Sequence, residues 1–233
     1  MKKFILPLLL LIAGIIVVVL VFVLPKNKNE APSGVEDETA VKVIPFEKRP
    51  IVSLTPRSDG HWLDMKVQKL QVSADKLDYE FLYTLSDGRQ QGVPGVIDIK
   101  GKGGVEEELL LGSESSGKFR YDEGVEKGSL ILRFRDSKGK LVSKLETDFV
   151  FLENPESIES PDGSFKFTPD SEMKTGFFVV MNTLGMDNPP SSVKSGPFGI
   201  FTSVESSIKG SYTLGSLSEN ATIEDGMLIV AEL

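Results

Sequence analysis

Apolar and polar residues follow three different rhythms along this chain. The first is unbroken: Phe4 to Leu24 is a run of 21 residues without a charge, rich in Leu, Ile and Val. As a helix rising ~1.5 Å per residue it reaches about 31 Å, close to the ~30 Å hydrocarbon core of a bilayer. A helix pairs its own backbone N–H and C=O groups, as lipid demands. Pro7 falls in the first turns, where a missing N–H costs least, and Pro25 ends the run. The second rhythm is period two. Apolar or aromatic residues occupy 77, 79, 81, 83 and 85 of Leu77 to Leu85, which predicts a half-buried strand. Ser86-Asp87-Gly88 supplies a turn, and a return strand follows from Val93 to Ile99. A second hairpin runs from Leu130 to Phe134, turns at Asp136-Ser137-Lys138-Gly139 and returns over Leu141 to Leu152. Weaker strands are expected at Val41–Ile44, Ile51–Leu54, Trp62–Val72, Leu109–Leu111 and Lys118–Tyr121. The third rhythm is a short two-sided run, Gly176 to Met181, with too little alternation for a sheet open to solvent; it predicts a central strand. Further strands are expected at Ser164–Thr168, Phe198–Val204, Ser211–Leu214 and Met227–Leu233.

Sustained helical spacing with caps is missing beyond the opening run, so helices should be few and short. Short strands with turns every 8–12 residues predict a mainly β protein: a transmembrane helix, an antiparallel β-sandwich and a smaller β-rich C-terminal unit. The size and rhythm of 41–152 resemble immunoglobulin-like and fibronectin-type modules. The Cys…Trp…Cys framework of a true immunoglobulin domain is absent, so the reading stops at the sandwich class.

Charge sharpens the domain plan. Residues 41–152 hold 18 basic and 18 acidic side chains, whereas residues 153–233 hold 4 and 12. The break falls at a turn-rich stretch. The expected organisation is a tail over 1–3, a signal anchor over 4–24, a flexible linker over 25–40, a β-sandwich over 41–152, a linker over 153–163 and an acidic β-rich domain over 164–233. With 81 residues beyond the break, the C-terminal unit is small for a freestanding sandwich and is expected to lean on its neighbour.

The opening run exceeds the 7–15 residues of a cleavable signal, and Phe22-Val23-Leu24-Pro25-Lys26 offers no small-residue cleavage site. A lipoprotein anchor needs a cysteine, and the chain has none. A pilin-like start fits poorly, since no glutamate lies near the beginning of the run. Lys2 and Lys3 before the helix give a thin bias toward a cytoplasmic N-terminus and extracytoplasmic C-terminal domains at the cell membrane.

Candidate chemistry is sparse. His61 is the single histidine, expected at a loop-to-strand junction, and no Gly-x-Ser-x-Gly elbow accompanies it. One histidine and no cysteine exclude the usual zinc ligand sets. Ser-x-x-Lys pairs such as Ser73/Lys76 lack the helix and partner motifs of penicillin-recognising enzymes. Gly101-Lys102-Gly103-Gly104 joins two strands and lacks the P-loop spacing. Glu106-Glu107-Glu108 reads as a charged edge strand, because calcium-loop spacing is missing. Asn220-Ala221-Thr222 fits a glycosylation acceptor. A net charge of −8 without a basic aromatic patch argues against nucleic acid.

No catalytic, cofactor-binding or metal residue is therefore assigned. The expected partners are the lipid bilayer, through residues 4–24, and a protein or envelope component met by a non-catalytic surface module, with Lys102–Val105 and Met186–Ser195 as contact loops. The rival readings are an envelope glycan hydrolase with two carboxylates 5–9.5 Å apart, and an accessory subunit of a membrane complex.

Overall fold

The computed structural model describes residues 41–233 except 174 and 191. The tail over 1–3, the anchor expected over 4–24 and the linker expected over 25–40 all lie outside the described residues. Among those described, no helix is long and apolar enough to cross a membrane.

The described chain is mainly β, in several antiparallel sheets, and its helical content is one 3-10 turn at Phe46–Lys48. The strands are β1 (Ile51–Pro56), β2 (Trp62–Gln68), β3 (Lys76–Leu85), β4 (Gln90–Asp98), β5 (Gly104–Leu110), β6 (Gly112–Ser115), β7 (Lys118–Tyr121) and β8 (Val125–Arg135). They continue with β9 (Leu141–Glu153), β10 (Ile158–Glu159), β11 (Phe165–Pro169), β12 (Phe177–Asn182), β13 (Ser195–Thr202), β14 (Ile208–Leu214), β15 (Leu217–Ile223) and β16 (Met227–Glu232). Seven of them form the central sheet in the order β16-β13-β12-β9-β8-β3-β4. The composition break at Glu153 falls at the end of β9, whose neighbour β12 comes from the acidic stretch, so this sheet draws strands from both sides of it. All described residues belong to one compact unit.

Two cores form on opposite faces of that sheet. On the first, β1-β2-β5 packs Val52, Leu54, Leu63, Met65 and Leu109 against Phe81, Tyr83, Phe149, Val179 and Met181. On the second, β10-β11-β14-β15 packs Ile158, Phe165, Phe167 and Leu214 against Phe178, Val180, Phe198 and Ile200. Strand β12 explains its own sequence. Phe178 and Val180 enter one core while Val179 and Met181 enter the other, so a run without alternation is what two-sided burial requires.

The second covering sheet reaches only part of its face. Val150 and Leu152 of β9 lie beneath it, whereas the uncovered remainder carries the cross-strand ion pairs Asp78–Arg135 and Glu80–Arg133 and, along β9 itself, the pair Lys144–Glu146. This unequal cover produces a step at Pro161. Val41–Ile44 does not become a strand: Lys42 gives one N–H to Val142 O, at 3.2 Å, and no ladder follows. Strand β2 ends at Gln68, before Lys69 takes a positive φ of 54°.

Candidate binding surface

The sequence around His61 builds a patch that the period-two pattern conceals. Asp59 accepts the His61 N–H at 3.0 Å and Gly60 turns the chain with a φ of 69°. His61 thus lies immediately before β2, and its backbone oxygen accepts the Leu111 N–H at 2.9 Å. That bond sets the base of the β6–β7 hairpin beside His61. The hairpin closes through Ser116 and Gly117, with φ of 53° and 76°, the left-handed pair that a tight two-residue turn requires. At its foot, Asp122 gives its N–H to Leu111 O and accepts the Tyr83 hydroxyl at 2.8 Å. Burial comes first, and this bond next, in pushing the Tyr83 phenol upward, so it stays a neutral donor that pins the hairpin to the first core.

Among the described residues the hairpin belongs to no larger sheet, and all four residues of β7 are exposed. Phe119 is 49% accessible and Tyr121 40%, unusual for large apolar rings on alternate positions of a strand. The rings order one another. Tyr121 stacks on His61 with centroids 4.0 Å apart and planes within 7°. Phe119 lies 6.2 Å from Tyr121, parallel within 4°, and meets the edge of Trp62 at 5.6 Å. The Arg57 guanidinium lies 5.6 Å from the Trp62 ring centroid. Two carboxylates hold that guanidinium: Asp64 at 2.7 Å and Glu108. Their hydrogen bonds, Asp64 first, raise the pKa of Arg57, so its charge is permanent.

Beyond Arg57 the outer face of β1-β2-β5 continues as charge, with Lys66 3.2 Å from Glu106. Glu106 and Glu108 lie on β5, an edge strand, where each sits against a cation. The composite surface is therefore four aromatic rings, partly open and mutually braced, bordered by a fixed ion-pair row. Such rings offer stacking and apolar contact at low ordering cost, and Trp, Tyr and Arg are the side chains that anchor interfaces.

A second concavity lies at the step. Two open cavities of about 410 and 450 Å³ share Asp148 and Pro161. Lys127, Ser129 and Gln90 line one; Arg49, Glu146 and Asp162 line the other. Asp162 is a turn-forming group: Ser160 Oγ donates to it at 2.6 Å and the Ser164 N–H at 3.1 Å. Partial desolvation works to raise its pKa, but these hydrogen bonds outweigh that and lower it. Among the described residues, Asp87, Asp162 and Glu232 have carboxyl pKa values displaced downward. A glycosidase acid needs the opposite displacement. Among the described residues no group of three or more His, Asp or Glu side chains is placed to hold a metal ion.

The expected contact loops lie elsewhere. Lys102 and Gly103 are exposed in the β4–β5 connection, and Asp187 of the second loop pairs with Lys69 at 2.5 Å. Asn220 is exposed on β15. Sequence reasoning placed His61 at its junction and Lys118–Tyr121 on a strand but did not join them. The available signal was the two aromatic pairs, His61-Trp62 and Phe119-x-Tyr121, each beside a turn.

No match reveals a family. Neither a family model, nor a curated protein, nor a solved structure matches the chain. The site's chemistry rests on its own geometry.

Proposed function

We propose that this chain is a membrane-tethered, non-catalytic binding module. Residues 4–24 anchor it, residues 25–40 act as a stalk, and its stacked sheets form a scaffold of the sandwich class outside the cytoplasm. The observation that carries the reading is the braced aromatic cluster of His61, Trp62, Phe119 and Tyr121, partly open where the start of β2 meets a hairpin that joins no other described strand. Large rings cost free energy when held in water, and a partner that covers them recovers it. The bordering Arg57, Asp64 and Glu108 would set orientation. The partner is an envelope or membrane-associated component within reach of the stalk.

Replacing Phe119 with a photoreactive phenylalanine analogue in cells carrying the full chain tests this. The expected result is a discrete adduct at position 119 that is missing when the same analogue replaces Val96, which is also exposed. Identical adduct patterns at the two positions would remove the aromatic cluster as the contact surface.

A further inference from the structure

The sheet edges of this protein are not equally protected. On β4 the edge is blocked by proline. The Leu85 N–H donates to Arg89 O within the β3–β4 register, so odd-numbered residues of β4 point their backbone groups at β3 and even-numbered ones point outward. Pro94 thus removes a donor from the middle of the free edge. Strand β5 carries Glu106-Glu107-Glu108, β15 carries Ser218-Glu219-Asn220, and β10 is two residues long. On β1, the Val52 N–H is already given to Thr183 O at 2.9 Å. Short, charged or proline-bearing edges discourage strand addition.

Strand β16 has none of these features. It pairs with β13 on one side and with no described strand on the other. The Thr202 N–H donates to Gly226 O at 2.9 Å in the same register, so even-numbered residues of β16 face β13 and odd-numbered ones face outward. Met227 spends its outward groups on Glu224, at 2.9 and 3.2 Å. Ile229 and Ala231 are left with N–H and C=O groups that no described residue takes up. Residues 227–231 are Met-Leu-Ile-Val-Ala, without a charge. Ile229 packs against the first core and Leu228 and Val230 against the second, all only half buried. The neighbouring Glu232 carboxylate is turned onto Ser216, whose hydroxyl donates to it at 2.6 Å.

We infer that two copies of this chain associate through β16, antiparallel about a two-fold axis at Val230. The argument for a second copy is self-complementarity. Setting Ile229 opposite Ala231 of the other copy, and Ala231 opposite Ile229, uses all four free backbone groups on each edge. Val230 then faces Val230 across the axis, each core gains an apolar neighbour, and the two central sheets become one. No residue of the aromatic cluster takes part, so this inference and the proposed function stand or fall separately.

The chain has no cysteine, so Val230→Cys in the full chain, in native membranes, carries the single thiol. A non-hydrogen-bonded antiparallel pair brings Cα atoms to about 4.5 Å, inside the disulfide range of ~4.4–6.8 Å. Mild oxidation is expected to convert most Val230→Cys chains to a disulfide dimer, while Val96→Cys on the blocked edge gives only a trace. Light scattering on the detergent-solubilised full chain is expected to give a protein mass of two chains, and Ala231→Pro to halve it. Proline fits there because it deletes only an outward N–H; retained circular dichroism separates lost pairing from lost folding. A one-chain mass with equal cross-linking at 230 and 96 overturns the inference. So does a photoreactive group at Ile229 that joins to residues 1–40 of its own chain or to a different protein.

Discussion

Truncating Phe165 tests whether the two cores behave as one folding unit. The ring is completely buried on β11, stacks on Phe198 at 5.8 Å and meets Tyr212 at a tilt of 37°, 6.1 Å away. It belongs wholly to the second core. Phe165→Ala removes the transfer free energy of the ring and leaves a cavity, a change costing about 3–5 kcal/mol at buried sites. The compact unit spans Glu38–Leu233. For a unit of that size each kcal/mol lowers the thermal midpoint by ~2–4 °C, so a loss of ~4 kcal/mol should lower it by about 8–16 °C. The decisive probe lies on the far side of the central sheet. Trp62 is the single tryptophan and sits on β2, in the sheet that covers the first core. Strand β12 joins the cores by placing Val179 in one and Phe178 in the other. Trp62 fluorescence and far-ultraviolet circular dichroism should therefore melt together, and Phe165→Ala should shift both midpoints equally. Should Trp62 keep its parental midpoint while the dichroism acquires a separate, earlier step, the cores would be independent and the reasoning refuted.

Other outcomes follow from single sites. Asp162 has its pKa depressed below the ordinary 3.8, so the stability it contributes is complete above that value and is lost as pH falls through the folded-state pKa. Urea midpoints of the parent should thus exceed those of Asp162→Asn near neutrality and converge with them in acid; a gap constant with pH would contradict this. Gly128→Ala would place a Cβ 1.9 Å from the Leu82 carbonyl oxygen and 2.7 Å from the Phe149 ring, so a loss of about 1–3 kcal/mol is expected in denaturant titration. An unchanged midpoint would mean that β3 and β8 yield at that point. Phe119→Ala together with Tyr121→Ala should change stability far less than Phe165→Ala does, because both rings are partly open whereas Phe165 is completely buried. A comparable loss would make the cluster a core feature rather than a contact surface.

Much of the strand inventory is legible in the chain because burial imprints a period. Leu77 to Leu85 shows one buried face, and Gly176 to Met181 shows two. Strand β15 was not legible: Ser218-Glu219-Asn220 is polar because the strand lies on an edge with its outer face in water. Val41–Ile44 misleads for the opposite reason, being apolar enough for a strand yet holding one hydrogen bond to Val142. Which sheet a strand joins is decided by partners far along the chain, so β9 beside β12 could not be read locally. The candidate surface was illegible for a related reason. Alternating Phe119 and Tyr121 announce a face that something covers, and the pattern is the same whether the cover is the protein's own sheet or another molecule.

The proposed tethering of the folded β portion outside the cytoplasm by residues 4–24 can be tested in cells. Alkaline carbonate extraction of membranes from cells making the full chain, with protease added to intact cells in parallel, tests it most directly. The chain is expected to stay in the carbonate pellet, to move to the supernatant once residues 4–24 are deleted, and to lose its β portion to external protease. A full chain released by carbonate, or one shielded from protease until the cells are broken, would contradict it.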